Sequence, residues 1–282
     1  MQDQRDEDNA AYVRRVHDQG LQFDLRTMSR RRLLAAFGGV GALALVGGTA
    51  ACDSAAEPAS TAGATSTAAT GSVTEVESET AGPFPADGSN GPNVRTESGI
   101  VRQDIRTSFG ELSGTAEGVP LEFSLIVTDL NGKALTGAAV YAWHCDRDGN
   151  YSLYSTGVTD QNYLRGIQET DATGTATFTS IFPACYTGRW PHIHFEVYSS
   201  LADATSGNGP IVKTSQIALP EDVSDAVYAT AAYSRSVAAM SRVSLATDNV
   251  FGDDSAVTEL ATVTGSVADG YVATLTIAID PS

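Results

Sequence analysis

Leu121-Glu122-Phe123-Ser124-Leu125-Ile126-Val127, followed after Thr128 by Asp129-Leu130-Asn131-Gly132, is the stretch that decides the fold. Apolar Leu121, Phe123 and Leu125 alternate with polar residues, so one face of an extended chain is turned to a core. The Asn-Gly pair then marks a tight turn. Working outward, further strands are predicted at residues 139–143, 174–178, 192–198, 257–265 and 271–279. Several short strands at this spacing argue for an all-β sandwich rather than alternating α/β units. One short helical segment is predicted over residues 223–240, where Val223, Val227 and Ala231 recur at helical spacing. No internal repeat is visible.

Before this body the composition changes twice. Residues 1–52 read as a leader: Ser29-Arg30-Arg31-Arg32-Leu33-Leu34 opens an apolar run to Val46, followed by Gly47-Gly48-Thr49-Ala50-Ala51-Cys52. A basic flank, an apolar stretch and a small-residue exit form an export signal, and the adjacent arginines favour the twin-arginine route, which carries folded proteins. An exported protein, extracellular or attached to the cell surface, is therefore expected. Cys52 sits where a lipid anchor would be attached, although Thr49 stands in place of the usual aliphatic residue. The 27 residues ahead of Met28 are either a long leader region or a misplaced start. Residues 53–76, rich in Ala, Ser and Thr, read as a flexible linker, leaving residues 77–282 as the folded domain.

Six acidic and seven basic residues precede Cys52, leaving 28 acidic and 10 basic beyond it. So acidic a body repels phosphate backbones and anionic headgroups, which argues against nucleic-acid partners and electrostatic membrane docking. Cys145 and Cys185 are the cysteines of that body, and an oxidising compartment makes a disulfide between them the default expectation.

The chemistry concentrates in Tyr186-Thr187-Gly188-Arg189-Trp190-Pro191-His192-Ile193-His194-Phe195-Glu196-Val197. In a strand His192 and His194 project to one side, while Ile193, Phe195 and Val197 point to the other. Two same-side imidazoles can share a metal. No third histidine or carboxylate stands at zinc spacing. Tyrosines are placed instead: Tyr186 six residues before His192, and Tyr151 just after the strand ending at Trp143. Phenolates are hard anionic donors suited to a hard ferric ion. An ordinary half-buried tyrosine remains the alternative for either position, as does a surface ion pair for Arg189.

Taken in order, these segments resemble the intradiol ring-cleavage dioxygenases, the family of protocatechuate and catechol dioxygenases. The resemblance runs through Thr80-Ala81-Gly82-Pro83-Phe84, Trp143, Asp148-Gly149-Asn150-Tyr151, Leu164-Arg165-Gly166, Tyr186, Arg189, His192-Ile193-His194 and Thr214-Ser215-Gln216. It implies an immunoglobulin-like β-sandwich in which Tyr151, Tyr186, His192 and His194 hold non-haem Fe(III), Tyr186 and His194 axially. It also implies a small aromatic diol and dioxygen as substrates, Tyr186 helping to take up substrate protons, Arg189 stabilising negative charge on the ring, and Gln216 lining the pocket. Tyr154 and Tyr163 are rival donors that lie off the family positions. The short segment between Tyr186 and His192 implies a more open pocket, and the family's helical dimerisation region is absent, so oligomeric state is left open. Two alternatives belong beside this reading: a non-catalytic extracellular binding module that retains a metal site, and a copper or zinc enzyme using the histidines alone.

Overall fold

The computed structural model describes residues 73–281. The leader, Cys52 and the linker up to residue 72 lie outside the described residues. Among the described residues no helix is long and apolar enough to cross a membrane. The ordered body takes in the last linker residues: Val73 donates to the Leu130 carbonyl, and buried Val76 to that of Ala278.

Among the described residues, eight strands form two four-stranded sheets. In the first, β4 (Thr175–Ile181), β1 (Pro120–Asp129), β8 (Gly270–Ile279) and β7 (Thr262–Ser266) lie in that order. In the second the order is β3 (Arg165–Glu169), β2 (Ala139–Trp143), β5 (His192–Tyr198) and β6 (Ile211–Ala218). Pairing is antiparallel except between β1 and β8, which run parallel over Leu121 to Asp129. The turn after β1 forms as expected, with Gly132 at φ +77° donating to the Asp129 carbonyl.

The alternation read from β1 is real: Leu121, Phe123, Leu125 and Val127 are buried together with Val140, Ala142, Ile193, Phe195, Val197 and Ile217 from the facing sheet. The second sheet has a further apolar layer on its outer side, where Tyr141, Trp143, Ile167 and Tyr198 pack with Phe84, Val94, Ile100 and Tyr151. Every residue of β5 is consequently buried. A sheet covered on both faces can enclose polar side chains on its outer face, and that is where both strand histidines point.

Some expectations need correction. The single helix over 223–240 is broken into α2 (Glu221–Tyr228), a 3-10 turn (Ala231–Tyr233) and α3 (Val237–Met240), and a further short helix, α1 (Leu201–Thr205), follows β5. Side chains compete with the helix there: Tyr233 Oη accepts from the Val119 amide and donates to the Phe182 carbonyl, and Ser236 Oγ accepts from the Cys185 amide. The strand expected from residue 257 starts only at Thr262, because Ser255 and Ala256 adopt positive φ and Val257 is left exposed. Strands β3 and β6 were not expected. Cys145 and Cys185 are free thiols rather than a disulfide, one directed at the Ala184 carbonyl and the other at that of Arg189.

Candidate metal centre

β5 supplies His192 and His194 two positions apart on the outer face of the second sheet. Trp143, opposite His194 in the ladder, lies flat against its ring. Gly82, at φ +67°, brings the 80–84 segment to the same imidazole: a Cβ there would stand 3.2 Å from His194 Cε1. Tyr151 comes from the loop after β2, where Asp146 organises the turn by accepting the amides of Asp148 and Asn150. Its ring packs on Phe84, with centroids 4.8 Å apart. Tyr186 enters from the chain leading into β5.

These four side chains meet tip to tip. Tyr151 Oη is 3.1 Å from Tyr186 Oη, 3.2 Å from His194 Nε2 and 3.4 Å from His192 Nε2. His192 Nε2 is 3.2 Å from both Tyr186 Oη and His194 Nε2. Five of the six separations thus fall within hydrogen-bond range; the pair outside it is Tyr186 with His194. For an ion with bonds of about 2.0–2.2 Å, adjacent donors stand about 3 Å apart, close to the separation of these five pairs. The tautomer of His192 is fixed too. Its Nδ1 faces the Trp190 carbonyl, which can only accept, so neutral His192 turns the Nε2 lone pair inward.

The electrostatics keep the four side chains neutral in the metal-free protein. Burial pushes the Tyr151 and Tyr186 phenols up and both imidazoles down, so without metal the quartet carries no charge at neutral pH. The Arg189 guanidinium opposes burial at both tyrosines and reinforces it at both histidines, favouring phenolate and neutral imidazole, the two forms that bind metal. Among the described residues no group of three or more His, Cys, Asp or Glu side chains could hold a metal, so a cation here would be taken by imidazoles and phenols together. That mixed donor set suits a hard trivalent ion better than zinc or calcium.

Arg189 is not a surface residue. Its Nε donates to Asp248 Oδ2 at 3.1 Å and its Nη2 to Gln216 Oε1 at 2.5 Å, while Gln216 Nε2 donates to the Thr80 carbonyl. Gln216 therefore reaches the cluster through the arginine. The rival tyrosines are occupied elsewhere: Tyr154 Oη donates to Asn90 and accepts from the Ala86 amide, and Tyr163 Oη donates to Asp146. A cavity of about 230 Å³ lies beside Tyr186, lined also by Asp148, Arg235 and Arg242. Asp248 is the residue that sequence reasoning missed, and it carried no signal; Trp143 was named there as a strand end and as part of the resemblance, but not for its stack on His194.

With this geometry in view, comparison with known proteins is direct. A family model described as Dioxygenase matches residues 90–204. An intradiol ring-cleavage dioxygenase from Tetranychus urticae shares 27% identity and a TM-score of 0.54, over 66% of this chain and 89% of that one. The chain is similar to the intradiol ring-cleavage dioxygenases. A chlorocatechol 1,2-dioxygenase from Rhodococcus opacus is 39% identical over 69 residues, 24% of this chain; the match spans only 27% of that relative's length. Tyr151, Tyr186, Arg189, His192 and His194 all fall inside the family match, whereas Gln216 and Asp248 lie beyond it. The family match thus takes in the four donors and Arg189.

Proposed function

We propose that this protein cleaves catechol-type aromatic rings between the two hydroxyl-bearing carbons with dioxygen, using non-haem ferric iron held by Tyr151, Tyr186, His192 and His194. The observation that carries this reading is the convergence of two phenol oxygens and two imidazole nitrogens within 3.1–3.4 Å of their neighbours. Bound there, ferric iron would supply Lewis acidity, withdrawing electron density from a chelated diol.

The remaining chemistry belongs to the protein. Tyr186 is the least enclosed of the four donors and borders the cavity, so its phenol is the one suited to exchange a proton with an entering diol. Arg189 offers a fixed cation for negative charge that builds on the ring, an interaction of the kind worth about 3–4 kcal/mol of barrier in a dry site. The aromatic wall of Phe84, Tyr151 and Trp143 excludes water around His194. The leader read at residues 1–52 adds the proposal that this chemistry takes place after export, attached to the surface if Cys52 is acylated.

The test is reconstitution with ferric iron. A phenolate-to-ferric absorption band in the visible, shifting on anaerobic addition of catechol, and oxygen consumption with a ring-opened diacid as product are the expected results. A fully iron-loaded protein that is colourless and takes up no oxygen with any catechol would sink the proposal.

A further inference from the structure

We propose that Asp248 is a positioning residue that aims the Arg189 guanidinium at the four-donor cluster, and that it influences the reaction through that guanidinium alone. The inference rests on the catechol-cleaving reading above and adds a residue from the 3-10-rich segment between α3 and β7, outside the stretch matched by the family.

Its side chain is fully enclosed, and both carboxylate oxygens are engaged. Oδ1 accepts from the amides of Val250 and Phe251 at 2.7 and 2.8 Å. Oδ2 accepts from the Trp190 amide at 2.5 Å and from Arg189 Nε at 3.1 Å. Three backbone amides therefore fix the carboxylate independently of the arginine, so the acceptor offered to Nε is an immobile one.

From its other edge the guanidinium is held through Nη2 by Gln216, itself tied to the Thr80 carbonyl, while Phe251 lies beneath it with the ring centre 5.9 Å from Cζ. Nη1 is engaged by neither clamp. A planar fork fixed at two points has one orientation, and here its charge acts on all four donors. Stabilising charge that appears only during attack on the ring demands a cation already in place, since reorienting it would consume the advantage. A surface arginine would need no such mooring. The Trp190 amide bond also couples the acid to the chain two residues before His192, so the cation and the imidazole keep a constant relation.

Because the aim serves the transition state more than the bound diol, its loss should fall on kcat rather than KM. Asp248→Asn presents an NH2 group where Nε and the Trp190 amide need an acceptor. With iron-loaded protein and catechol, D248N should lower kcat by roughly 10²-fold and change KM by less than about threefold. In an Arg189→Ala background the same substitution should cost nothing further. An equal fold-loss in both backgrounds overturns the proposal.

A second readout needs no turnover. In metal-free protein the Arg189 Nε–H resonance, identified by its absence in R189A, should exchange slowly with solvent in the wild type and rapidly in D248N. Slow exchange surviving in D248N also overturns the proposal. Should the wild-type iron protein take up no oxygen, the catechol-cleaving reading falls while this resonance still judges how the guanidinium is held. Asp248→Ser, which keeps an oxygen for the amides, is the companion variant. If R189A folds while D248N and D248S both fail to, Asp248 is purely structural and the inference is wrong.

Discussion

Trp143 and His194 lie face to face, ring centroids 5.0 Å apart and planes 2° from parallel. The indole closes one side of the imidazole and Gly82 closes another, so rotation of the ring about its side-chain bonds is blocked. Trp143→Ala should cost about 3–5 kcal/mol in chemical unfolding of the metal-free protein. It should also hasten loss of iron to a chelator, because the freed imidazole leaves its aim. Trp143→Phe keeps a flat partner and should hold iron nearly as well as the wild type. Unaltered iron retention in W143A would show that the stack does not orient the ligand.

Tyr151 Oη, like His192 Nε2, lies within reach of all three other donors. Tyr151→Phe should fold normally and lose both the visible band and oxygen uptake. Burial keeps both phenols protonated without metal, so iron loading of the wild type should release one proton more than loading of Y151F, read by calorimetry in buffers of different ionisation enthalpy. Equal proton release would mean that Tyr151 stays a neutral phenol.

Gly82→Ala tests the close approach from the 80–84 segment. The residue sits at φ +67°, a conformation costing a residue with a Cβ roughly 1–2 kcal/mol, and the new methyl would press on His194 Cε1. A lowered melting temperature together with weaker iron binding is expected. Lower stability with unchanged iron binding would confine the effect to the backbone.

Cys145 and Cys185 should behave as buried thiols. In a Cys52→Ser background, a thiol reagent should find none accessible in the native protein and two after denaturation without reductant. Finding none after denaturation would indicate a disulfide.

His144 stands between the Cys145 carbonyl and Ser180 Oγ, with Nδ1 facing the carbonyl and Nε2 accepting from the hydroxyl. Burial lowers its pKa from 6.5 to about 4. The unfolded chain thus takes up the proton first, so the stability contributed by this site is complete above pH 6.5 and drains away as pH falls towards 4. The deficit should reach ~3 kcal/mol, at 1.36 kcal/mol per pH unit. Comparing pH-dependent urea unfolding of the metal-free wild type with His144→Gln isolates this group from the buried carboxyls; parallel curves would contradict it.

How far the molecule could be read in advance depended on whether a residue's neighbours were local. The periodicity of Leu121, Phe123 and Leu125 reports a core face directly, and the two-residue spacing of His192 and His194 reports a shared side of a strand. Tyr151 and Tyr186 became legible only through an ordered set of motifs, since a tyrosine alone says nothing about where its oxygen points. β6 hid because Lys213, Ser215 and Gln216 are buried polar residues that interrupt its pattern, Lys213 and Gln216 being held by partners in the 75–80 segment. Asp248 was invisible for a related reason: its value lies in reaching Arg189 across 59 residues, and no local rhythm encodes that contact. The broken helix failed differently, through Tyr233 and Ser236 preferring backbone partners elsewhere in the body.

The parallel seam between β1 and β8 joins residues about 150 positions apart. Closing so large a loop is paid in chain entropy before any contact rewards it, so folding should be slow, with β8 acting as the latch of its sheet. A ribosome-bound chain lacking residues 270–279 would present β1 with an open edge and an unshielded apolar face, the condition in which β-rich chains stick to one another.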